Sequence, residues 1–249
     1  MHDGDETGWY LFGILPADSD IGVDECPPFD ERCTVRLVRA ANLFALAAQV
    51  SVADLAGPVS PDPERLTALV GDHDRILREA AATGRALVPM PFGTVARDLN
   101  ALRRMVEDHC VVLYDAIGRL EGCDEWGVHV SVPREVPQRA VRALTRQVHD
   151  GLASCSEDAV IEPIESGATE ERPSALSAAF LVNRDRAKHF HHTVEDLRRY
   201  WEPAGSTITV SGPWPAYHFA RVDLGSVGSA QALLLLGPLS TPERAWSTA

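Results

Sequence analysis

The sequence predicts an α+β protein of two domains, and three observations predict it. The chain has 249 residues, enough for two ordinary domains that each bury a core. Its first half sets strand-like apolar runs before long stretches in which apolar residues recur every three or four positions. Its second half alternates strand and helix patterns in the order β-α-β-β-α-β. The expected organisation is an N-terminal α+β domain with long helices over 1–122, a C-terminal domain over 123–223 and a tail over 224–249.

In chain order, Trp9 to Leu15 (WYLFGIL) is an apolar run stopped by Pro16 and reads as a buried first strand. Asp18 to Glu31 holds acidic residues, Gly22 and the pair Pro27-Pro28, a loop composition. Val35 to Val38 and Leu43 to Val50 read as two strands joined near Ala40 to Asn42, although LFALAAQV also fits a helix. Asp62 is a helix cap with Pro63 at the first helical position. Leu66, Leu69, Val70, His73, Ile76, Leu77 and Ala80 then follow at helical spacing, and Gly84 sits where a left-handed C-terminal cap belongs. Leu87 to Val95 (LVPMPFGTV) is a short strand that Pro89 and Pro91 confine to an edge or an irregular course. Asp98 caps one long helix, whose stripe runs through Leu99, Leu102, Met105, Val106, Val112, Leu113, Ala116, Ile117 and Leu120 to a stop at Gly122.

The second half is the more regular. Strands are expected at Glu125 to Val132, Ala159 to Ile164, Leu176 to Asn183 and Ser206 to Ser211, with helices at Pro137 to Leu152 and Arg184 to Trp201. Val141, Leu144, Val148 and Leu152 form one apolar stripe, and Ala187, Phe190, Val194, Leu197 and Trp201 form another. Right-handed crossovers put both stripes on one side of a four-stranded antiparallel sheet, the ferredoxin-like (βαββαβ) arrangement. Glu165 to Pro173 reads as a hairpin tip between the middle strands.

Charge and composition exclude several functions. With 23 basic against 36 acidic residues the chain carries a net charge of −13, which repels phosphate backbones and anionic lipid. Neither nucleic acid nor membrane is an expected partner. The start MHDGDETG lacks a basic and an apolar region, so a cytoplasmic location is expected. The apolar run Ala230 to Leu236 falls far short of the roughly 20 residues that span a bilayer. The five cysteines are irregularly spaced and contain no CxxC, a pattern of reduced thiols.

No GxSxG, P-loop, GxGxxG or HExxH is present. His189, His191 and His192 lack a nearby carboxylate or cysteine in sequence and read as a solvated helix face, so no metal is expected. His73 and His109 lie on or beside apolar stripes and read as core histidines; Cys110 and Cys123 read as inert thiols. No catalytic residue and no cofactor is expected, and the chain is read as a non-enzyme.

One further stretch stands out. Ser211 to Phe219 (SGPWPAYHF) sets Trp214 between two prolines that hold the backbone extended. Together with WYLFGIL, LVPMPFGTV, EWGVHV (Glu125 to Val130) and AFLVNR (Ala179 to Arg184), in this order and spacing, it makes most of the chain resemble the gas vesicle accessory proteins of the L/F type (GvpL/GvpF). The resemblance implies a two-domain α+β protein with a modified ferredoxin-like C-terminal half. It also implies a non-enzymatic role in gas vesicle assembly, as a minor vesicle component or a chaperone-like partner of the hydrophobic shell protein, alongside other accessory proteins. Three positions depart from the family pattern: Met90 or Pro91 stands where arginine is usual, His129 where lysine follows EWGV, and Ala216 where a second proline follows GPWP.

The candidate protein-interaction residues are the aromatics Phe92, Trp214, Tyr217 and Phe219 and the run Leu233, Leu234, Leu235 and Leu236. For Phe92 and Trp214 packing inside the protein competes with docking a partner, and the leucines fit the protein's own surface and the shell protein equally well. The rival functional class is a small-molecule-binding or enzymatic protein on a ferredoxin-like scaffold.

Overall fold

The computed structural model describes residues 7–19, 28–52, 63–164, 172–222 and 224. The chain divides into two compact units, residues 1–121 with 220–249, and residues 122–219. Ala220 and Leu224 therefore group with the first unit.

In the first unit β1 (Thr7–Pro16) is the central strand, flanked by β3 (Leu43–Ser51) on one side. β2 (Val35–Ala40) pairs with β3, and both pairings are antiparallel. The ambiguous LFALAAQV is thus a strand, paired on both edges and buried through most of its length. On the other side of β1 lie two strands of two residues each, β4 (Val88–Pro89) and β5 (Val95–Ala96). The proline-broken LVPMPFGTV supplies both. Gly13 of β1 is needed for the close approach: a Cβ there would meet Leu87 Cδ1 at 2.7 Å and the Val88 carbonyl at 3.1 Å.

Helix α1 (Pro63–Ala82) buries Leu69, His73, Ile76, Leu77 and Ala80, the stripe its spacing predicts. Asp98 caps α2 (Leu99–Asp108), its side chain accepting the Ala101 N–H at 2.7 Å. The single long helix expected from Asp98 onward is instead two, α2 and α3 (Cys110–Leu120). His109 leaves helical angles at φ −109° and ψ 13°, and its ring N–H donates to the Met105 carbonyl at 2.8 Å. The break turns the first residues of α3 away from the core: Val112, placed in the buried stripe by periodicity, is 46% exposed.

The second unit comprises β6 (Cys123–Ser131), α4 (Gln138–Ala153), β7 (Asp158–Ile161), β8 (Ser174–Asn183), α5 (Ala187–Trp201) and β9 (Thr207–Trp214). A one-turn 3₁₀ segment, Arg184–Arg186, precedes α5, and the Asn183 side chain caps it by accepting the Asp185 N–H. The sheet order is β7-β8-β6-β9, antiparallel throughout. The core lies between the sheet and its two helices: Val128, Val130, Phe180 and Val182 from strands meet Leu144, Val148, Phe190 and Val194. Glu125 and Gly127 alternate with the core residues along β6 and are also buried, so they face the opposite side of the sheet.

Among the described residues no helix is long and apolar enough to cross a membrane.

Candidate functional site

The SGPWPAYHF stretch ends β9 and then folds back. Trp214 pairs with Glu125 at the end of β9, after a register shift. Gly212 allows this course with φ +126°, where a Cβ would stand 2.9 Å from the Glu125 carbonyl. Beyond it, the Tyr217 N–H donates to the Pro215 carbonyl at 2.7 Å and the Phe219 N–H to that of Ala216 at 3.2 Å. These tight turns bury Pro215, Ala216 and Phe219 and leave Trp214 and Tyr217 half-buried.

The fold-back delivers His218 to two carboxylates. Its backbone N–H donates to Glu125 Oε2 at 2.9 Å and its ring Nδ1–H to Oε1 at 2.7 Å. Ring Nε2 lies 2.8 Å from Oε1 of Glu162, just after β7, and the Ser177 hydroxyl of β8 donates to the other Glu162 oxygen. Glu125 is wholly buried. Burial alone would lower the pKa of His218, but the hydrogen bonds and charges of Glu125 and Glu162 raise it to about 10. Burial pushes Glu125 up. It pushes Glu162 up as well, but the hydrogen bonds from His218 and Ser177 bring that carboxyl below its usual value. His218 is therefore an imidazolium with both N–H groups committed, unable to take up a proton. The cluster locks the end of the unit onto its sheet.

The first unit has a different polar centre. The Gly93 N–H donates to the Tyr10 hydroxyl oxygen at 3.0 Å, and that hydroxyl lies 2.9 Å from Nδ1 of His73. Burial lowers the pKa of His73 to about 4, with the Met90 backbone as the opposing hydrogen-bond partner. The ring is neutral: Nδ1 accepts from Tyr10 and Nε2–H faces Met90. Phe12, Phe29 and Phe92 surround this pair, with Phe92 centred 5.7 Å from the imidazole and 6.0 Å from the Tyr10 ring. Phe92 is half-buried within this cluster.

Among the described residues the exposed large apolar side chains lie outside both aromatic motifs: Ile161, Ile164 and Tyr200 in the second unit, and a group of three at the start of α3, where Val111 is 70%, Val112 46% and Tyr114 42% exposed. Asp115, four residues on from Val111 in the same helix, is exposed and polar. Such a patch, apolar with a polar rim, has the anatomy of a protein contact.

Leu233, Leu234, Leu235 and Leu236 lie outside the described residues. Met90 is buried and Pro91 exposed, so a basic side chain in that motif would reach solvent only from position 91. The histidines of α5 are separated: His191 stands edge-on to Trp126 at 4.4 Å, whereas His192 points to Asp196 at 3.6 Å. Among the described residues no group of three His, Cys, Asp or Glu is placed to hold a metal ion. Sequence reasoning passed over Glu125, Glu162 and His218. The available signal was a carboxylate inside one apolar motif, EWGVHV, and a histidine inside another, PAYHF, each needing a partner if buried.

Comparisons with known proteins agree with this architecture. Gas vesicle protein F of Haloferax mediterranei is 29% identical, over 87% of this chain and 95% of its own. Gas vesicle protein F1 of Halobacterium salinarum is 27% identical over 87% and 94%, and gas vesicle protein L of Streptomyces sp. (strain CB03234) 26% over 84% and 89%. The crystal structure of GvpF from Anabaena sp. PCC7120 superposes with a TM-score of 0.70, at 17% identity, over 87% of this chain and 97% of that one. GvpF from Microcystis aeruginosa gives 0.67 at 14% identity, over 86% and 99%. The model of the gas vesicle synthesis protein GvpL/GvpF family matches residues 8–143 and 134–221, and the chain belongs to that family.

Proposed function

We propose that this protein acts in gas vesicle assembly by binding the hydrophobic shell protein and limiting its aggregation, through contact and not catalysis. A shell that encloses gas must turn apolar surface inward, so its subunit exposes such surface before it is built in. The observation that carries the reading is the group of apolar side chains Val111, Val112 and Tyr114, exposed together at the start of α3. Burying this face against an apolar subunit is favourable at about 25 cal/mol per Å². The exposed edges of Phe92, Trp214 and Tyr217 add contact area in this reading, as does the run Leu233–Leu236. The protein works at the growing vesicle, in the cytoplasm and alongside other accessory proteins. The strand order of residues 122–219 supports a ferredoxin-like second domain whose sheet is scaffold, not catalyst.

The test is genetic. In a vesicle-forming host the gene is replaced by a Val111→Ser, Val112→Ser, Tyr114→Ser variant, and vesicle yield is scored by electron microscopy. Yield falls to that of the deletion strain while the variant accumulates at the parental level. Wild-type yield from the variant sinks the proposal.

A further inference from the structure

The outer face of α4 carries a second feature, independent of the apolar patch on α3. Arg139, Arg142 and Arg146 are all exposed and spaced by three and four residues, so they share one side of the helix, opposite the buried Leu144, Val148 and Leu152. None of the three has a carboxylate within ion-pair distance among the described residues; Arg142 meets only the side-chain oxygen of Gln138, at 3.4 Å. Glu135, in the loop before the helix, forms no ion pair with them. The first acidic residue of α4 is Asp150, and it pairs with His149.

This arrangement opposes the helix's own stability. The N-terminal end of a helix is its positive pole and favours carboxylates. Here the first turn has no acidic residue, Pro137 provides no side-chain cap, and two of the three guanidinium groups, those of Arg139 and Arg142, lie within the first five residues. Like charges at this spacing also repel. Helices α1 and α5 show the alternative. Arg75 and Arg78 of α1 pair with Asp72 and Asp74, and Arg198 and Arg199 of α5 pair with Glu195 and Asp196, each three or four residues away. In a chain with 36 acidic residues, this face sets three exposed arginines against a single carboxylate, Asp150, which is turned to His149, and it is charged for something outside it.

We infer that this face of α4 docks a carboxylate-bearing helical segment of a protein partner. The span from Arg139 to Arg146 is about 10 Å along the axis, which matches acidic residues over two turns of a facing helix. Guanidinium groups grip carboxylates in a two-pronged geometry, and Ala143 between them lets a second helix approach. A single carboxylate-bearing helix confines its few charges to this face, whereas nucleic acid and anionic lipid extend dense negative charge over the rest of the surface, whose net charge of −13 repels them.

The experiment uses the full chain and two synthetic helical peptides of identical composition, one with glutamates at i, i+3 and i+7 on a single face and one with them dispersed around the helix. Affinities are read by fluorescence anisotropy at low and physiological salt, for the parent and for an Arg139→Gln, Arg142→Gln, Arg146→Gln variant whose folding is checked by circular dichroism. The single-face peptide binds the parent at least about tenfold more tightly than its isomer, and the variant loses that difference. Equal binding of the two peptides, or unchanged discrimination by the variant, overturns the inference. So does tighter binding of anionic phosphatidylglycerol vesicles or duplex DNA through the same three arginines. Because no shell protein is present, failure here leaves the α3 reading untouched.

Discussion

His218→Ala destabilises the second unit by about 3–5 kcal/mol, the cost of leaving a buried charge without its partner. The substitution strands Glu125, which is wholly buried, and removes the bridge from Glu125 to Glu162. His218→Gln is milder, because a neutral amide still donates to one carboxylate. Urea unfolding followed by tryptophan fluorescence reads the effect, since Trp126, Trp201 and Trp214 all belong to residues 122–219. A loss below about 1 kcal/mol, the range of exposed pairs, would mean that the cluster is not a lock.

The lock also has a pH signature. The folded pKa of His218, about 10, lies above its unfolded value, so its contribution is complete below about pH 6.5 and is lost as pH rises through 10. Glu162 is held below its usual value, so its contribution is present above that value and lost on acidification through the folded one.

Acidification from pH 6.5 to 4 lowers the stability of the first unit by about 3 kcal/mol through His73 alone. Burial holds this histidine neutral down to about pH 4, so across that interval the unfolded chain binds a proton that the folded chain refuses. The contribution is complete above 6.5 and lost as pH falls through 4, opposite to that of His218. His73→Leu keeps an apolar side chain there but strands the Tyr10 hydroxyl, so it lowers stability at neutral pH and flattens the acid slope. Amide hydrogen exchange in β1 and α1 between pH 6.5 and 4, corrected for intrinsic exchange rates, reads the slope. An equal slope in the parent and His73→Leu would assign it to other groups.

How much of this the sequence shows depends on the range of the interactions. Local signals place the strands and helices well: Asp98 and Asn183 cap the segments they precede, and the stripes of α1, α4 and α5 are buried. The break at His109 escapes notice because the apolar residues of α2 and α3 keep helical spacing across it, so periodicity cannot report a change of axis. That same break creates the exposed face of Val111, Val112 and Tyr114. The ion cluster is hidden for another reason. Glu125 and His218 are 93 residues apart, and only the β6–β9 pairing with the turns after Trp214 brings them together. Phe219, read from its motif as a contact residue, is 2% exposed for the same cause: the chain folds back where the sequence suggests it leads outward.

The most direct test of the functional reading is a light-scattering assay of purified shell protein diluted from denaturant into buffer, with and without this protein. Equimolar parent protein suppresses the rise in scattering. The Val111→Ser, Val112→Ser, Tyr114→Ser variant, folded as judged by circular dichroism, does not. Equal suppression by the variant, or none by the parent, contradicts the claim that this apolar face holds the shell subunit.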